Sequence, residues 1–158
     1  MNSENIKDLN SILEGEYVAI NSFNTIIEHA KDENTKNELQ RIQQTHKEHA
    51  SQIATRIQNL GGNPTDGIGI EGIISETISN IKHIGTTDIT SYLKEALQGE
   101  TMGIKIVNDL LAGSYDPSSS QFLNTIINEY QTNITSIDNL LLLSHCKSIK
   151  PLYCQKGY

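Results

Sequence analysis

The sequence predicts an all-α protein, a four-helix bundle with a long crossover between its second and third helices. Four stretches repeat apolar residues in alternating steps of three and four, the pattern of helices that bury one face against partners. Turn-forming residues separate helix one from helix two and helix three from helix four, whereas segment 61–88, which is punctuated by glycines, separates the two pairs. An up-down-up-down bundle would not need so long a middle link.

Length and charge narrow the class of protein. The chain has 158 residues and a formal net charge of -7, with no Lys/Arg cluster. We assign 1–144 to one bundle domain and 145–158 to a C-terminal tail. The acidic balance argues against nucleic acid or an anionic membrane as a partner. The chain has no apolar run of the roughly 18 residues that a membrane span needs and its start is unlike a signal peptide, so we expect a cytoplasmic location.

The first helix carries a carboxylate in an otherwise apolar seam. Burying an unpaired carboxylate costs several kcal/mol unless a cation or hydrogen-bond donors meet it. Glu16 therefore needs a partner inside the bundle. The seam reads Ile6, Leu9, Leu13, Glu16, Ile20, Phe23, Ile27 and Ala30.

The second helix places two imidazoles on its buried face. Thr35 and Glu38 have the spacing of a capping box that would begin this helix, and Gly61-Gly62 should end it. His46 and His49 are three residues apart, so both should point into the core. The seam reads Leu39, Ile42, His46, His49, Ile53, Ile57 and Leu60.

The second half of the chain repeats the arrangement of an apolar seam with polar members. One short helix over 71–82 is expected within the crossover, and Asp88 should cap the third helix, whose seam includes Glu100. A turn at Asp116-Pro117 precedes the fourth helix. Its seam reads Leu123, Ile127, Tyr130, Ile134, Ile137 and Leu141, with Asn133 one turn beyond Tyr130.

These polar residues should meet at one level of the bundle. Glu16 and His49 lie at equal distances along the chain from the turn near residue 32 or 33, and Glu100 and Asn133 from the turn near residue 116 or 117. Carboxylates and imidazoles that converge in a bundle suit a divalent metal. We predict a metal site formed by Glu16, His46, His49 and Glu100; the alternative is a metal-free buried polar network that fixes helix register.

The sequence resembles the bacterioferritins in two places. Residues 9–21 resemble the first helix of that family, with Glu16 at the position of its first metal-binding Glu. Residues 49–64 resemble the end of its second helix, from the ligand His to the terminating Gly and Pro. The resemblance implies ferritin-like connectivity, a di-metal carboxylate fold and homo-oligomers, dimers or larger. It also implies iron binding, ferroxidase activity or iron storage, with a role in oxidative stress.

The departures from that family concern the same site. The second helix of the family carries Glu-x-x-His, where this chain has His46 and His49. The second Glu-x-x-His, on the fourth helix, is matched by Tyr130 and Asn133, although Glu129 could contribute if the helix were rotated by one position. Tyr130 is more typical of core packing with a satisfied hydroxyl. Lys47 stands at the place of the haem-ligating Met, so no haem is expected.

Two functions remain open on the sequence alone. The first is a metal-binding protein that takes iron, with Mn²⁺ or Zn²⁺ as other candidates, and that oxidises Fe²⁺ if two ions bind. The second is a bundle that has lost the metal site and serves as a structural or stress-associated interaction protein. His145, Cys146 and Cys154 are interpreted as part of a reduced, exposed tail, with a metal clip or a labile disulfide as alternatives.

Overall fold

The computed structural model describes residues 2–67, 88–113 and 115–148. These ranges form four helices and contain no strand: α1 (Asn2–His29), α2 (Glu33–Asn59), α3 (Ile89–Leu111) and α4 (Pro117–Ser148). The predicted all-α four-helix bundle is confirmed. The helix expected over 71–82, together with Cys154 and the rest of 149–158, lies outside the described residues. None of the helices in these ranges has an apolar stretch of the length needed to span a membrane.

Helix α2 begins earlier than the capping-box prediction placed it. Its N-cap is Asp32, whose carboxylate accepts a hydrogen bond from the Thr35 backbone N–H at 3.0 Å and another from the Thr35 hydroxyl at 2.8 Å. Thr35 therefore lies inside the first turn, and Glu38 pairs with Arg41 at 2.8 Å instead of reaching back to a cap. The prediction of Thr35 as the cap is wrong because Asp32 precedes the first turn and its carboxylate accepts from the Thr35 N–H, as an N-cap does.

Helix α2 ends where the glycines predicted. Gly61 has a φ of 82°, a left-handed conformation that glycine adopts without steric cost. The N–H of Gly61 donates to the Gln58 carbonyl and that of Gly62 to the Ile57 carbonyl, both at 2.9 Å, which is the Schellman pattern. A Cβ at Gly62 would lie 2.7 Å from a methyl carbon of Ile6. Gly62 therefore lets the chain leave α2 in contact with α1.

The start of α4 is tied to the end of α2. Asp116 accepts hydrogen bonds from the backbone N–H groups of Ser118 and Ser119, both at 3.1 Å, while Pro117 occupies the first helical position, which tolerates the loss of an N–H. Arg56, in the last turn of α2, donates to both carboxylate oxygens of Asp116 at 2.9 Å. This contact brings the C-terminal end of α2 beside the N-terminal end of α4.

Two apolar clusters show how the helices run. The first cluster joins the N-terminal parts of α1 and α4 to the C-terminal parts of α2 and α3, and includes Leu9, Ile53, Val107 and Leu123. The second joins the opposite ends, and includes Phe23, Ile42, Leu93 and Ile137. Helices α1 and α4 therefore point one way, and α2 and α3 point the other way.

The connectivity follows from these directions. Since α2 and α3 are parallel, α2 ends and α3 begins at opposite ends of the bundle. Helix α1 packs against α2 and α3, and α4 packs against the same two helices, so that α1 and α4 are diagonal to each other. This is the ferritin-like arrangement with a long crossover between the second and third helices.

Candidate metal centre

A layer of polar side chains separates the two apolar clusters, and every helix contributes to it. Glu16 comes from α1, His46 and His49 from α2, Glu100 from α3 and Asn133 from α4; each is at most 3% exposed. The sequence predicted Glu16, His46, His49 and Glu100 from their seam positions, and Asn133 from its equal distance with Glu100 from the turn near residue 116 or 117. Ionisable groups this deeply buried are stable only when they are paired or bound to a cation.

His46 lies at the centre of the layer between two carboxylates. Its Nδ1 is 2.6 Å from Glu16 Oε2 and its Nε2 is 2.7 Å from Glu100 Oε1. Ionised carboxylates only accept hydrogen bonds, so both ring nitrogens must donate and the imidazole is a cation in this arrangement. The ring is flanked by those of Phe23 and Tyr130, with centroids 5.4 and 5.7 Å away. In the metal-free protein His46 is thus the cation between Glu16 and Glu100.

His49 repeats this pattern one turn further along α2. Its Nδ1 is 3.1 Å from Glu16 Oε1, and its Nε2 contacts Glu129 Oε2 on α4. The side chain of Glu129 is 50% exposed, so this carboxylate reaches His49 from the solvent side. Both imidazoles therefore direct Nδ1 to Glu16 and Nε2 to a separate outer carboxylate.

Glu16 is the point on which the hydrogen bonds converge. Besides the two histidines, the Tyr130 hydroxyl donates to Glu16 Oε1 at 2.6 Å. Glu16 is 0% exposed, and its carboxylate oxygens accept from three protein donors. The Tyr130 hydroxyl is satisfied here by the carboxylate, as a buried tyrosine requires.

The pKa values show how strongly these groups are coupled. Burial raises the pKa of Glu16, but the charges and hydrogen bonds of His46 and His49 outweigh it and lower this pKa to about 2. Burial lowers the pKa of His46, yet Glu16 and Glu100 more than compensate and raise it to about 10. The pKa of His49 is likewise raised, by Glu16 and Glu129 against the effect of burial. The Glu16 carboxylate and the two imidazoles are therefore stabilised in their charged forms.

A pH dependence of metal-free stability follows from these shifts. The contribution of Glu16 is complete above its ordinary pKa of 4.5 and is lost as the pH falls towards 2. The contribution of His46 is complete below its ordinary pKa of 6.5 and is lost as the pH rises towards 10. These two groups together therefore favour the folded state most between pH 4.5 and 6.5. We expect urea midpoints, measured in EDTA, to fall from pH 6.5 to pH 9, and His46→Gln to flatten this alkaline decline. A wild-type midpoint that is constant over that range would contradict the coupling.

Three of the four predicted ligands form one compact group. Glu16, His46 and His49 each offer a ligand atom, and these atoms lie within 4.8 Å of one another. Within the described residues this is the only such group found. Glu100 is outside the trio and contacts the far nitrogen of His46. The sequence did not decide whether Glu129 belongs to the site. Its only indication was that Glu129 lies next to the seam residue Tyr130, so that a small rotation of α4 would turn it inward.

Asn133 borders the layer from α4. Its amide nitrogen donates weakly to Glu100 Oε1 and Oε2, at 3.5 and 3.4 Å. Its Oδ1 atom is buried and has no hydrogen-bond partner within the described part of the chain. A buried carbonyl oxygen without a donor is uncommon, and amide oxygens are acceptable ligands for hard cations. The layer thus retains unused acceptor capacity beside Glu100.

The family described as a domain of unknown function, DUF2383, matches residues 4–113. The chain belongs to this family. No curated protein sequence compared with the chain is significantly similar to it.

Two solved structures share the ferritin-like fold of this DUF2383 member. One is a two-domain protein of Anabaena variabilis with DJ-1/ThiJ/PfpI-like and ferritin-like domains; it has 16% identity and a TM-score of 0.75, and the match covers 100% of this chain and 42% of that one. The chain thus spans less than half of that protein. Another, described as a ferritin-like, diiron-carboxylate protein of Bacillus anthracis, has 21% identity and a TM-score of 0.58 over 92% of this chain and 96% of that one. The buried group of Glu16, His46 and His49 is compatible with metal binding.

Proposed function

We propose that the chain binds one divalent transition metal ion through Glu16, His46 and His49. One observation carries the proposal: both imidazoles direct Nδ1 to the same buried carboxylate while Nε2 of each faces an outer carboxylate. Two imidazoles and one carboxylate are a donor set used for zinc and for non-haem Fe²⁺. Ligand atoms about 2.0–2.2 Å from a common ion lie at most roughly 4.4 Å apart; here the Glu16 oxygens lie 2.6 and 3.1 Å from the two Nδ1 atoms, and all three residues offer atoms within 4.8 Å of one another. The donor set therefore fits such an ion.

The outer carboxylates have a defined part in this proposal. A metal-bound histidine usually donates its other ring N–H to a carboxylate or carbonyl, which fixes the tautomer and the ring orientation. Glu100 would hold the Nε2–H of His46, and Glu129 would hold that of His49. Each Nδ1 would give up its proton on binding the ion, because only a neutral imidazole offers a lone pair. Glu100 is thus proposed as an orienting group rather than as the direct ligand that the sequence suggested.

Iron is the metal that we propose, with Mn²⁺ and Zn²⁺ as the other candidates. The Bacillus anthracis protein is described as a diiron-carboxylate protein, and the same superfamily resemblance extends to this chain. If the bound ion is Fe²⁺, it would supply redox chemistry. The chain supplies the negative charge of Glu16 and shields the ion from solvent. A cytoplasmic location, a homo-oligomeric assembly and a role in iron storage or oxidative stress belong to this proposal as well.

The chain favours one ion over two. Tyr130 and Asn133 stand on α4 where the bacterioferritin resemblance implies Glu and His, and Tyr130 donates a hydrogen bond to Glu16. Only two carboxylates of the layer are fully buried, Glu16 and Glu100. Oxidation of two Fe²⁺ ions would need a second ion beside Glu100, where Asn133 Oδ1 is the unused acceptor. Ferroxidase activity therefore depends on that additional site.

A second candidate function rests on His46. As an imidazolium it pairs with both Glu16 and Glu100 without any metal, and His49 pairs with Glu16 and Glu129. Both buried carboxylates therefore have a cationic partner within the chain itself. On this view the protein is a non-catalytic bundle that acts as a structural or stress-associated interaction protein. The two candidates differ in one measurable property, the effect of metal on stability, because a ligand that binds only the folded state raises the free energy of unfolding.

Metal loading of wild-type protein and of His49→Gln tests the proposal. We expect about one Fe²⁺, Mn²⁺ or Zn²⁺ per chain by elemental analysis, and a rise in melting temperature with metal concentration. Loss of a supporting hydrogen bond at a metal site costs roughly 10–100-fold in affinity, so loss of the ligand His49 should cost more than 100-fold. His145→Gln is the matched control, because His145 is exposed on α4 and should bind metal like the wild type. A wild-type protein without saturable metal binding would instead favour the metal-free bundle.

A further inference from the structure

A cavity of about 440 Å³ lies between α1 and α3 and reaches the polar layer. Most of its lining is apolar, and its floor is formed by His46, Glu100 and Tyr130. It opens to solvent where Asn21 on α1 and Gly99 on α3 are exposed. The buried centre is thus connected to the surface along one particular pair of helices.

Small residues create this space. Gly15 and Ala19 on α1 face Ala96, Gly99 and Gly103 on α3 across the cavity. A Cβ at Gly99 would meet no atom within 4 Å, so the cavity extends up to the α3 backbone at that point. A Cβ at Gly103 would instead lie 3.0 Å from a Tyr130 ring carbon. Gly103 therefore allows the Tyr130 ring to form the floor, and Gly99 keeps the entrance wide.

The size of the cavity identifies the kind of occupant. An α-helix is about 10 Å across with a pitch of 5.4 Å, so a single turn already fills roughly 420 Å³. The cavity would hold no more than about one turn of a partner helix, which is too little for a stable protein interface. Small-molecule sites are typically about 300–1,000 Å³, mostly apolar and provided with a few polar groups. The cavity has the volume and the lining of such a site.

The floor sets the polar character of the ligand. Glu100 Oε1 accepts from His46 at 2.7 Å, whereas Oε2 has only the long contact of 3.4 Å with Asn133. Glu100 therefore has acceptor capacity left for a hydrogen-bond donor from the cavity. An anionic ligand would be repelled by this carboxylate, and a charged group of either sign is costly to place against apolar walls.

We propose that this cavity binds a small, mainly apolar molecule with one hydroxyl group, and that the hydroxyl donates to Glu100 beside His46. If the molecule is a substrate or product of the metal centre, that role rests on the proposed function. Binding of the molecule does not rest on it, because the cavity and the Glu100 acceptor are present in the metal-free protein. Phenols and medium-sized alcohols are the chemical class that combines these features.

Titration calorimetry of the full chain with 1-naphthol tests this site. We expect saturable one-to-one binding by the wild type, and at least tenfold weaker binding of naphthalene, which lacks the hydroxyl, and of the anion 1-naphthoate. Gly99→Leu should weaken 1-naphthol binding at least tenfold, because its side chain enters the cavity without a backbone clash. Gln98→Leu places the same side chain on the adjacent, exposed position outside the cavity lining and should bind like the wild type.

Three results would overturn the proposal. The first is absence of saturable 1-naphthol binding, and the second is equal binding by Gly99→Leu and Gln98→Leu, which would place the probe elsewhere. The third is a wild-type dimer that Gly99→Leu, but not Gln98→Leu, dissociates in light scattering, because the groove would then belong to a second copy. Elemental analysis distinguishes failure of the metal site from failure of the cavity proposal. Gly99→Leu should load metal like the wild type, and 1-naphthol binding that persists in EDTA supports the cavity even if no metal binds.

Discussion

Glu16→Gln is expected to destabilise the metal-free protein by about 3–5 kcal/mol, the cost of leaving a buried charge without its partner. The substitution keeps the size of the side chain but removes the charge that faces both imidazoles and the Tyr130 hydroxyl. His46 would then be buried with Glu100 as its remaining charged partner. The amide NH₂ of the new Gln would also face the N–H groups of the imidazoles, and two donors that face each other repel. Urea unfolding in EDTA at pH 6 measures the change.

Two comparisons isolate the charge of Glu16. Glu48→Gln changes a glutamate of α2 that is exposed and accepts one hydrogen bond, from Gln44 at 3.1 Å, and should alter stability by less than about 0.5 kcal/mol. Tyr130→Phe removes one buried donor from Glu16 without changing any charge and should cost about 1–3 kcal/mol. If Glu16→Gln were no more harmful than Glu48→Gln, the charged network in the bundle would not exist as described. Glu16→Gln should also abolish metal loading.

The composition of the polar layer was accessible from the sequence because helix geometry is regular. A step of three or four residues defines one face of a helix, so Glu16, His46, His49 and Glu100 could each be assigned to the interior. Equal distance from a short turn then gave their level, and the contacts of Glu16 with His49 and of Glu100 with Asn133 agree with it. These inferences need only rigid, antiparallel helices joined by tight turns.

The contacts that depend on side-chain reach were not accessible in this way. Glu129 is half exposed and lies off the predicted seam, yet its carboxylate meets the outer nitrogen of His49. On the same helix the structure buries Asn133 and Leu140, whereas Ile134 and Leu141 of the predicted seam are only partly buried. Helix α4 packs against both α2 and α3, so its buried face is wider than one seam and is turned from the predicted position.

The cavity also has no signature in the apolar periodicity. Glycine disfavours helix interiors, and the apolar pattern of α3 gives no reason for Gly99 and Gly103. Their meaning depends on the separation of α1 and α3, which the whole bundle sets. At Gly99 an added Cβ would meet no atom within 4 Å, so this position borders a void and not a packed interface.

The replacement with the largest expected effect is His46→Glu, which restores the Glu-x-x-His spacing with His49 that the resemblance to bacterioferritins implies. It removes the cation between Glu16 and Glu100 and adds a third carboxylate at the same place. Like charges in a buried site repel each other and cannot all be solvated. We expect the metal-free variant to lose more than about 4 kcal/mol, a fall in melting temperature of roughly 10 °C or more for a protein of this size.

Metal should reverse this loss, because a divalent ion can supply the charge that His46 supplied. A ligand present at 100 times its dissociation constant stabilises the folded state by about 2.7 kcal/mol, and at 1,000 times by about 4.1 kcal/mol. Melting of His46→Glu in EDTA and with Mn²⁺, Zn²⁺ or anaerobic Fe²⁺ should therefore differ by roughly 5–15 °C.

The comparison variants separate charge from the loss of the histidine. His46→Gln removes the cation without adding a carboxylate and should be intermediate in EDTA, with no rescue by metal. His145→Glu makes the same exchange on an exposed position of α4 and should melt within about 2 °C of the wild type, as surface substitutions do. Equal melting of His46→Glu and wild type in EDTA would show that His46 is not the cation of the layer. Under the proposed function, the histidine at this position makes the fold independent of metal, and a carboxylate in its place would make folding and metal binding a single event.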